Sequence, residues 1–306
     1  MSDLRKNLLF TGASGFLGSN IKPLISKQYV VKTMGLAEDE DYRVNLAHTV
    51  PLLNEHFDVV LHAAGKAHFI PVSEEEKQQF FDINYKGTVN LCKALEKSGL
   101  PSSFIFVSSV AVYGVDKGEA ITEDYPLRGR DPYALSKMRA EEFLNNWCKK
   151  NNITLSIIRP SLIAGPNPPG NLGRMIKGIK TGKYLSISGG QARKSVLMVQ
   201  DIAYLIPKLE KKGGVYNVCD SEQPTFRDLE RLISKQLNKS TPISLPYKLT
   251  KIVSYMGDII GRRAPINSYS FNKITNSLTF SNEKARKELD WQPLSVLKNF
   301  KIDKDS

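Results

Sequence analysis

The chain has little of what would tie it to an oxidising compartment, a membrane or a nucleic acid. Its 306 residues include three cysteines, Cys92, Cys148 and Cys219, far apart and in no CxxC pair. They build no disulfide framework and read as small core hydrophobes in a reducing compartment. No run approaches the ~20 apolar residues of a membrane-spanning helix. The opening "MSDLRKNLLF" holds too few apolar residues for a signal peptide. The nearest candidate for a membrane-surface helix is "LTKIVSYMGDIIG", Leu249 to Gly261. Its apolar residues recur at helical spacing, which predicts an amphipathic helix packed on the core. There is no internal repeat, no low-complexity segment and no basic tail, and no metal site is expected.

Lys and Arg number 43 against 31 Asp and Glu, a net charge of +12. The basic residues are dispersed, in pairs such as Lys149-Lys150, Lys211-Lys212 and Arg262-Arg263, with no stripe interleaved with aromatics. Nucleic acid is therefore not the expected partner, and an anionic small substrate accounts for the charge equally well. A composition of 41% hydrophobic and 24% charged residues is ordinary for a soluble globular protein. The expected location is the cytoplasm, without membrane insertion.

The first half alternates apolar runs with helical patterns. "NLLF" precedes a helix over 16–27, "YVVKTMG" a short helix near 47–54, and "DVVLHAAG" a long stretch over 74–98. "SFIFVSS" then leads to a helix over 132–150, followed by "LSIIRP". Continuous apolar strands between helices predict an α/β, doubly wound parallel sheet covered on both faces. Ligands of such sheets sit at the carboxyl ends of the strands. This domain should span 1–165, with a segment returning near 193–219; 166–192 and 220–306 should form a smaller, mainly helical substrate lobe.

Two features carry chemistry. "TGASGFLG" follows the first strand with glycines at 12, 15 and 18. A turn, close backbone approach and a helix amino terminus together suit a pyrophosphate. "DPYALSKMRAE" sets Tyr133 and Lys137 four apart on a helix that Asp131 can cap and Pro132 can start. Residues i and i+4 share a face, which predicts an ammonium beside the phenol, lowering its pKa toward neutrality as a general acid–base requires. Ser108 and Ser109 come directly off a strand, where a hydroxyl can bond a substrate oxygen.

With these marks on the page, the sequence resembles the extended short-chain dehydrogenase/reductase family, the NAD-dependent epimerases and dehydratases. "TGASGFLG", "DVVLHAAG", "NYKGTVNL", "FVSSVAVYG", "YALSK" and "IIRPSLIAGP" follow in family order, and the tail "SNEKARKELDWQP" resembles the family's last helix and turn. The resemblance implies a Rossmann fold, with Gly12, Ser14, Gly15, Phe16, Leu17 and Gly18 cradling a dinucleotide. It also implies that Ala63, Ala64, Gly65, Asn84 and Pro160 line the cofactor, and that Ser109, Tyr133 and Lys137 form a catalytic triad. Asn45 and Leu46 take the family's Asp-hydrophobic pair beside the adenine, with Asn replacing Asp. For the substrate, it implies Ser109, Asn171 and Leu172, with Arg193 or Lys194 gripping a diphosphate.

Departures narrow the expectation. Val110 and Ala111 stand where the family's dehydratases carry an Asp-Glu pair, so a 4,6-dehydratase is not expected; Ala164 replaces a tyrosine of the family. No acidic residue stands at Gly35 or Leu36, where NAD-specific members place one, and the run Glu38–Asp41 comes late. The cofactor is left as NAD or NADP. "KSVLMVQDIA" and "GNLGRM" resemble the branch of nucleotide-sugar 4-epimerases and 4-ketoreductases. The leading expectation is a 4-ketoreductase of a UDP-2-acetamido-2,6-dideoxy-hexos-4-ulose, because looser adenosine binding suits a cofactor that exchanges each turnover. The alternatives are a UDP-hexose or UDP-N-acetylhexosamine 4-epimerase, a non-catalytic dinucleotide-binding sensor or scaffold, and an RNA-binding protein suggested by charge alone. The paired helices 74–98 and 132–150 are candidates for a homodimer contact.

Overall fold

The computed structural model describes residues 5–67, 69, 71–260 and 267–303. The Arg262-Arg263 pair, and Gly261 at the end of the membrane-surface candidate, lie outside the described residues. Seven strands form one parallel sheet: Asn7–Thr11 (β1), Val30–Gly35 (β2), Tyr42–Arg43 (β3), Val59–His62 (β4), Ser103–Val107 (β5), Thr154–Pro160 (β6) and Gly214–Val218 (β7). Their order across the sheet is β3-β2-β1-β4-β5-β6-β7. The chain leaves β1 toward one edge and returns to the other side through β4, so a crevice opens between the carboxyl ends of β1 and β4.

Alternation within the strands feeds both faces. Leu8, Phe10, Val59, Leu61, Ile105 and Ile158 pack on one side with the helices Phe16–Ile25 (α1) and Val199–Lys212. Leu9, Val60, Phe104, Phe106 and Ile157 pack on the other with Leu91, Leu95, Leu144 and Trp147. Parallel strands buried on both faces must be apolar throughout, which is why these runs read as continuous.

After α1 come the helices Glu74–Phe80 (α2), Gly87–Ser98 (α3), Pro132–Lys150 (α4), Gly170–Lys180 (α5), Val199–Lys212 (α6), Phe226–Gln236 (α7), Tyr247–Ile260 (α8), Ser268–Thr275 (α9), Glu283–Glu288 (α10) and Val296–Asn299 (α11). A π-helical segment, Phe81–Lys86, joins α2 to α3. The helix expected near 47–54 is absent. Asn45 Oδ1 accepts from Ala47 N at 3.1 Å, making a side-chain-closed turn, and Pro51 holds the residue before it out of the helical region.

Beyond β6, α5 and α7 bury Leu172, Met175, Ile179, Leu229 and Ile233 against Val296 and Phe300. The final segment is pinned to α6 by Asp201, which accepts from Leu294 N at 3.2 Å and from Trp291 Nε1 at 3.3 Å. Burial pushes the Asp201 carboxyl up to about 7.

Candidate active site

β1 runs into the glycine turn and α1 starts at Phe16, with Gly15 as its extended N-cap residue. The three glycines have different reasons to be there. Gly12 has φ +79°, and a Cβ on it would stand 2.7 Å from Ala64 N, so the turn lies flat on the strand-end segment after β4. A Cβ on Gly18 would meet Ala13 Cα and Gly12 O at 2.4 Å, so it permits α1 to seat against the turn. Around Gly15 the nearest atom is Gly12 O at 3.4 Å, and the space beyond is open. The first turn of α1 has no acidic residue and Gly15 provides no side-chain cap, so its N–H groups face that space. Gly12, Gly15, Phe16 and Leu17 line a cleft of about 230 Å³, together with Ala63, Gly65, Ser109, Tyr133, Lys137 and Pro160. These features fit a dinucleotide pyrophosphate.

α4 begins as its sequence requires: Asp131 Oδ1 accepts from Ala134 N at 3.0 Å and Pro132 is the first helical residue. Its first turns carry Tyr133 and Lys137 into the cleft. Lys137 Nζ donates to Val107 O at 2.9 Å and lies 4.7 Å from the centre of the Phe106 ring. Burial holds Lys137 down to about 8, with Glu141 opposing. The expected lowering of Tyr133 is not found. Burial raises the phenol above its usual value, a hydrogen bond with Ser109 opposes the rise, and Asp131 adds to it. The ammonium is engaged by the carbonyl at the end of β5. Ser109 also accepts from Ala111 N at 3.1 Å, starting a short 3₁₀ turn over Val110–Tyr113.

Supporting networks that the sequence did not reveal surround these groups. Asn84, in the π segment and fully buried, accepts from Lys66 N at 2.7 Å and donates to Lys66 O at 3.1 Å and Ser136 Oγ at 2.9 Å. It fixes the segment after Gly65 to α4, a use of π geometry common at functional sites. His62 lies between Thr11 and Thr88, with Nδ1 2.6 Å from Thr11 Oγ1 and Nε2 2.9 Å from Thr88 Oγ1. Thr88 donates to Asn84 O at 2.7 Å, so its oxygen accepts from Nε2–H; Nδ1 then accepts from Thr11, whose oxygen takes Ala64 N–H at 3.2 Å. Burial, with the charge of Lys137, lowers His62 to about 3, and the ring is neutral.

Ser108, by contrast, points inward. It donates to Glu141, whose carboxylate is held two-pronged by Arg159, through Nε at 3.1 Å and Nη2 at 2.6 Å. Arg159 Nη1 also donates to Tyr113 OH at 3.1 Å, and Tyr113 to Asn217 Oδ1 at 2.6 Å. Another serine was missed in the sequence. Ser161, adjacent to Pro160, lines the cleft, and its buried hydroxyl has no partner among the described residues.

The other sequence candidates are placed differently. Ser14 is exposed, and Ala64 supports Gly12 from behind. Asn171 is exposed on the first turn of α5, next to cleft-lining Pro169, whereas Leu172 is buried in the lobe core. Neither Arg193 nor Lys194 lines the cleft. Lys194 Nζ donates to Asn276 O at 2.9 Å, and burial brings it down to about 8. Arg193 is exposed, with Nη1 at 3.3 Å from Gln223 O.

At the adenosine end, no acidic residue stands at Gly35 or Leu36, but the fold brings one from the later run Glu38–Asp41 to the strand end. Thr11 is in register with Met34, so Gly35 lies beside the Gly12 turn. A Cβ on Gly35 would fall 2.7 Å from Glu40 Oε1. The loop from Leu36 folds back and brings the Glu40 carboxylate to the place where a strand-end side chain would begin. Both of its oxygens are buried and have no hydrogen-bond partner among the described residues. Asp41 is already engaged, by Thr33 N at 2.9 Å and Lys32 Nζ at 3.0 Å. Asn45 is exposed and turned to Ala47, and Leu46 is buried, its carbonyl accepting from Asn90 Nδ2 at 2.8 Å.

Among known proteins, the model of the NAD dependent epimerase/dehydratase family matches residues 8–219. The chain is 29% identical to N-acetyl-alpha-D-glucosaminyl-diphospho-ditrans,octacis-undecaprenol 4-epimerase of Escherichia coli O157:H7, over 92% of this chain and 89% of that one. It is 28% identical to a UDP-glucose 4-epimerase of Vibrio cholerae, over 95% and 92% of the two chains. The structure of RMD from Pseudomonas aeruginosa complexed with NADPH superposes with a TM-score of 0.73 at 23% identity, covering 96% of this chain and 95% of that one.

Proposed function

The chain belongs to the NAD-dependent epimerase/dehydratase family and is an NAD(P)-dependent enzyme, and from that premise we propose that it reduces the C4 ketone of a diphosphate-linked sugar. The observation that carries this reading is the single cleft shared by the glycine turn, Ser109, Tyr133 and Lys137. When bound, the dinucleotide supplies or accepts the hydride. Tyr133 is kept protonated at neutral pH by burial, which suits a donor that delivers a proton to the C4 oxygen as hydride reaches C4. Ser109 hydrogen-bonds that oxygen, and Lys137 holds the nicotinamide ribose. We assign the diphosphate to Arg193 and Asn171, since Lys194 is committed to Asn276. The substrate class is a UDP-2-acetamido-2,6-dideoxy-hexos-4-ulose, supported by the resemblance of "KSVLMVQDIA" to that branch. Glu40 supports NADH as the partner cofactor, because an unpaired carboxylate accepts from ribose hydroxyls and repels a 2′-phosphate.

A second reading, a 4-epimerase that retains its dinucleotide, is favoured by the same Glu40, which tightens adenosine binding. One assay separates the two. Protein, NADH and a UDP-4-keto-6-deoxy-N-acetylhexosamine should consume one NADH per sugar reduced, and Tyr133→Phe should slow this by about 10²–10⁴-fold with NADH affinity unchanged. Interconversion of UDP-N-acetylglucosamine and UDP-N-acetylgalactosamine with no net NADH consumption would establish the epimerase instead.

A further inference from the structure

α8 is built inside out. Its residues against the protein are small or polar, Thr250, Ser254 and Gly257, all buried. Leu249, Ile252, Val253, Tyr255, Met256, Ile259 and Ile260 are exposed, Ile259 at 89% and Ile252 at 59%. The sequence-based expectation of an apolar stripe packed on the core is thus overturned: the stripe is there, and it faces outward. At i, i+3, i+4 and i+7 spacing these side chains cover the side of the helix opposite Thr250 and Ser254. Before α8 the chain exposes further apolar side chains. The strand Ser244–Leu245 pairs with Ser186–Ile187, and exposed Leu185 and Ile243 line one depression with Lys239.

An apolar surface of this extent on a single chain marks an interaction site, and its charge says what kind. From Lys239 to Gly257, the stretch that leads into and forms most of α8, the chain carries Lys239, Lys248 and Lys251 and no acidic residue. Asp258, the acid of α8, is engaged by Ser268, whose N donates at 2.9 Å. Lys251 lies between Tyr247 and Tyr255, about 6 Å from each ring at 5.9 and 6.0 Å. Apolar side chains on the outer face, tyrosines beside them and lysines around them are the arrangement of a helix lying in the headgroup layer of an anionic membrane. No helix of the described residues is long and apolar enough to cross a membrane, so the helix would rest in the surface. We propose that α8, with Leu185 and Ile243, docks this protein onto an anionic bilayer surface. A second copy of the chain would place these lysines against the same lysines, whereas acidic lipid headgroups complement them.

The test is co-sedimentation of the full chain with vesicles of phosphatidylcholine alone and of phosphatidylcholine mixed with phosphatidylglycerol. Wild type should partition onto the mixed vesicles and more weakly onto the neutral ones. Ile252→Ser, Met256→Ser and Ile259→Ser combined should lower that partition by on the order of a hundredfold, with NADH binding as the control for folding. Ile259→Ser alone, at a site open to solvent, provides the same test should the triple variant not fold. Lys248→Glu with Lys251→Glu should remove the preference for the anionic vesicles. Wild type left in the supernatant with both lipids overturns the proposal. So does a lipid-free, concentration-dependent dimer that the triple variant disperses, which would give the face to a second copy. Neither readout depends on the reaction proposed above.

Discussion

Substituting alanine at each of the three glycines of the turn should give separable phenotypes, because the added methyl group meets different surroundings. At Gly18 it would lie 2.4 Å from three backbone atoms, Ala13 Cα, Ala13 O and Gly12 O, none of which can rotate away. Overpacking of that kind costs about 3 kcal/mol, roughly 6 °C in melting temperature for a chain of this size. At Gly12 a similar overlap with Ala64 adds to the strain of φ +79°, and the loss should be at least as large. At Gly15, φ is −75° and the nearest atom is 3.4 Å away. Alanine is a poorer N-cap than glycine by about 0.5 kcal/mol, and the reduced freedom of the unfolded chain returns about as much. Stability should stay within ~2 °C of wild type, while the methyl group projects into the cleft and weakens NADH binding about tenfold or more. Calorimetric scans and fluorescence titration with NADH measure both quantities. If Gly15→Ala binds NADH as wild type does, the pyrophosphate does not approach there; if it melts as low as Gly18→Ala, the steric reasoning fails.

Three further outcomes are expected. Glu40→Gln should weaken NADH binding about ten- to hundredfold, as for a lost hydrogen bond to a charged group, and narrow the gap between NADH and NADPH; titration of both cofactors measures it. His62, lowered to about 3, binds its proton more readily when unfolded, so it removes about 2 kcal/mol of stability between pH 7 and 5. Asp201, raised to about 7, binds its proton more readily when folded and adds about as much over the same range. Relative to wild type, His62→Gln should therefore gain stability on acidification and Asp201→Asn should lose it, read from denaturant titrations at the two pH values. Arg159→Met strands the Glu141 carboxylate in the core and should cost about 3–5 kcal/mol, whereas Glu141→Gln with Arg159→Met should recover most of that.

What could be read from the sequence was what local rules determine. α4 starts at Pro132 behind the Asp131 cap because both signals sit within four residues. The sheet was legible because parallel strands are apolar on both faces. The glycine turn was legible as a turn, but the distinct surroundings of its three glycines depend on Ala13 and Ala64, which only the fold brings near. Periodicity showed that the apolar residues of α8 share a face; it carries no information about whether that face looks in or out. The same limit hid Glu40, five residues past the strand end it serves, and the His62 network, whose members come from β1, β4 and α3. Ser108 and Ser109 are neighbours of the same type and both border the cleft, but the hydroxyl of Ser108 turns to Glu141 and that of Ser109 to Tyr133.

On the proposed reading, the route by which Glu40 reaches the end of β2 separates cofactor choice from the sheet. A side chain on the strand itself is held in place by the ladder. Here the strand contributes only a bare Cα, and the carboxylate arrives on the five residues Leu36–Glu40. Deleting one residue of that loop, or lengthening it by one, should withdraw the charge and shift the short β3 that follows it, while the pairing of β2 with β1 is kept. On the proposed reading of Glu40, the preference for NADH rests on this loop, and a change in its length should move the preference toward NADPH without altering Ser109, Tyr133 or Lys137.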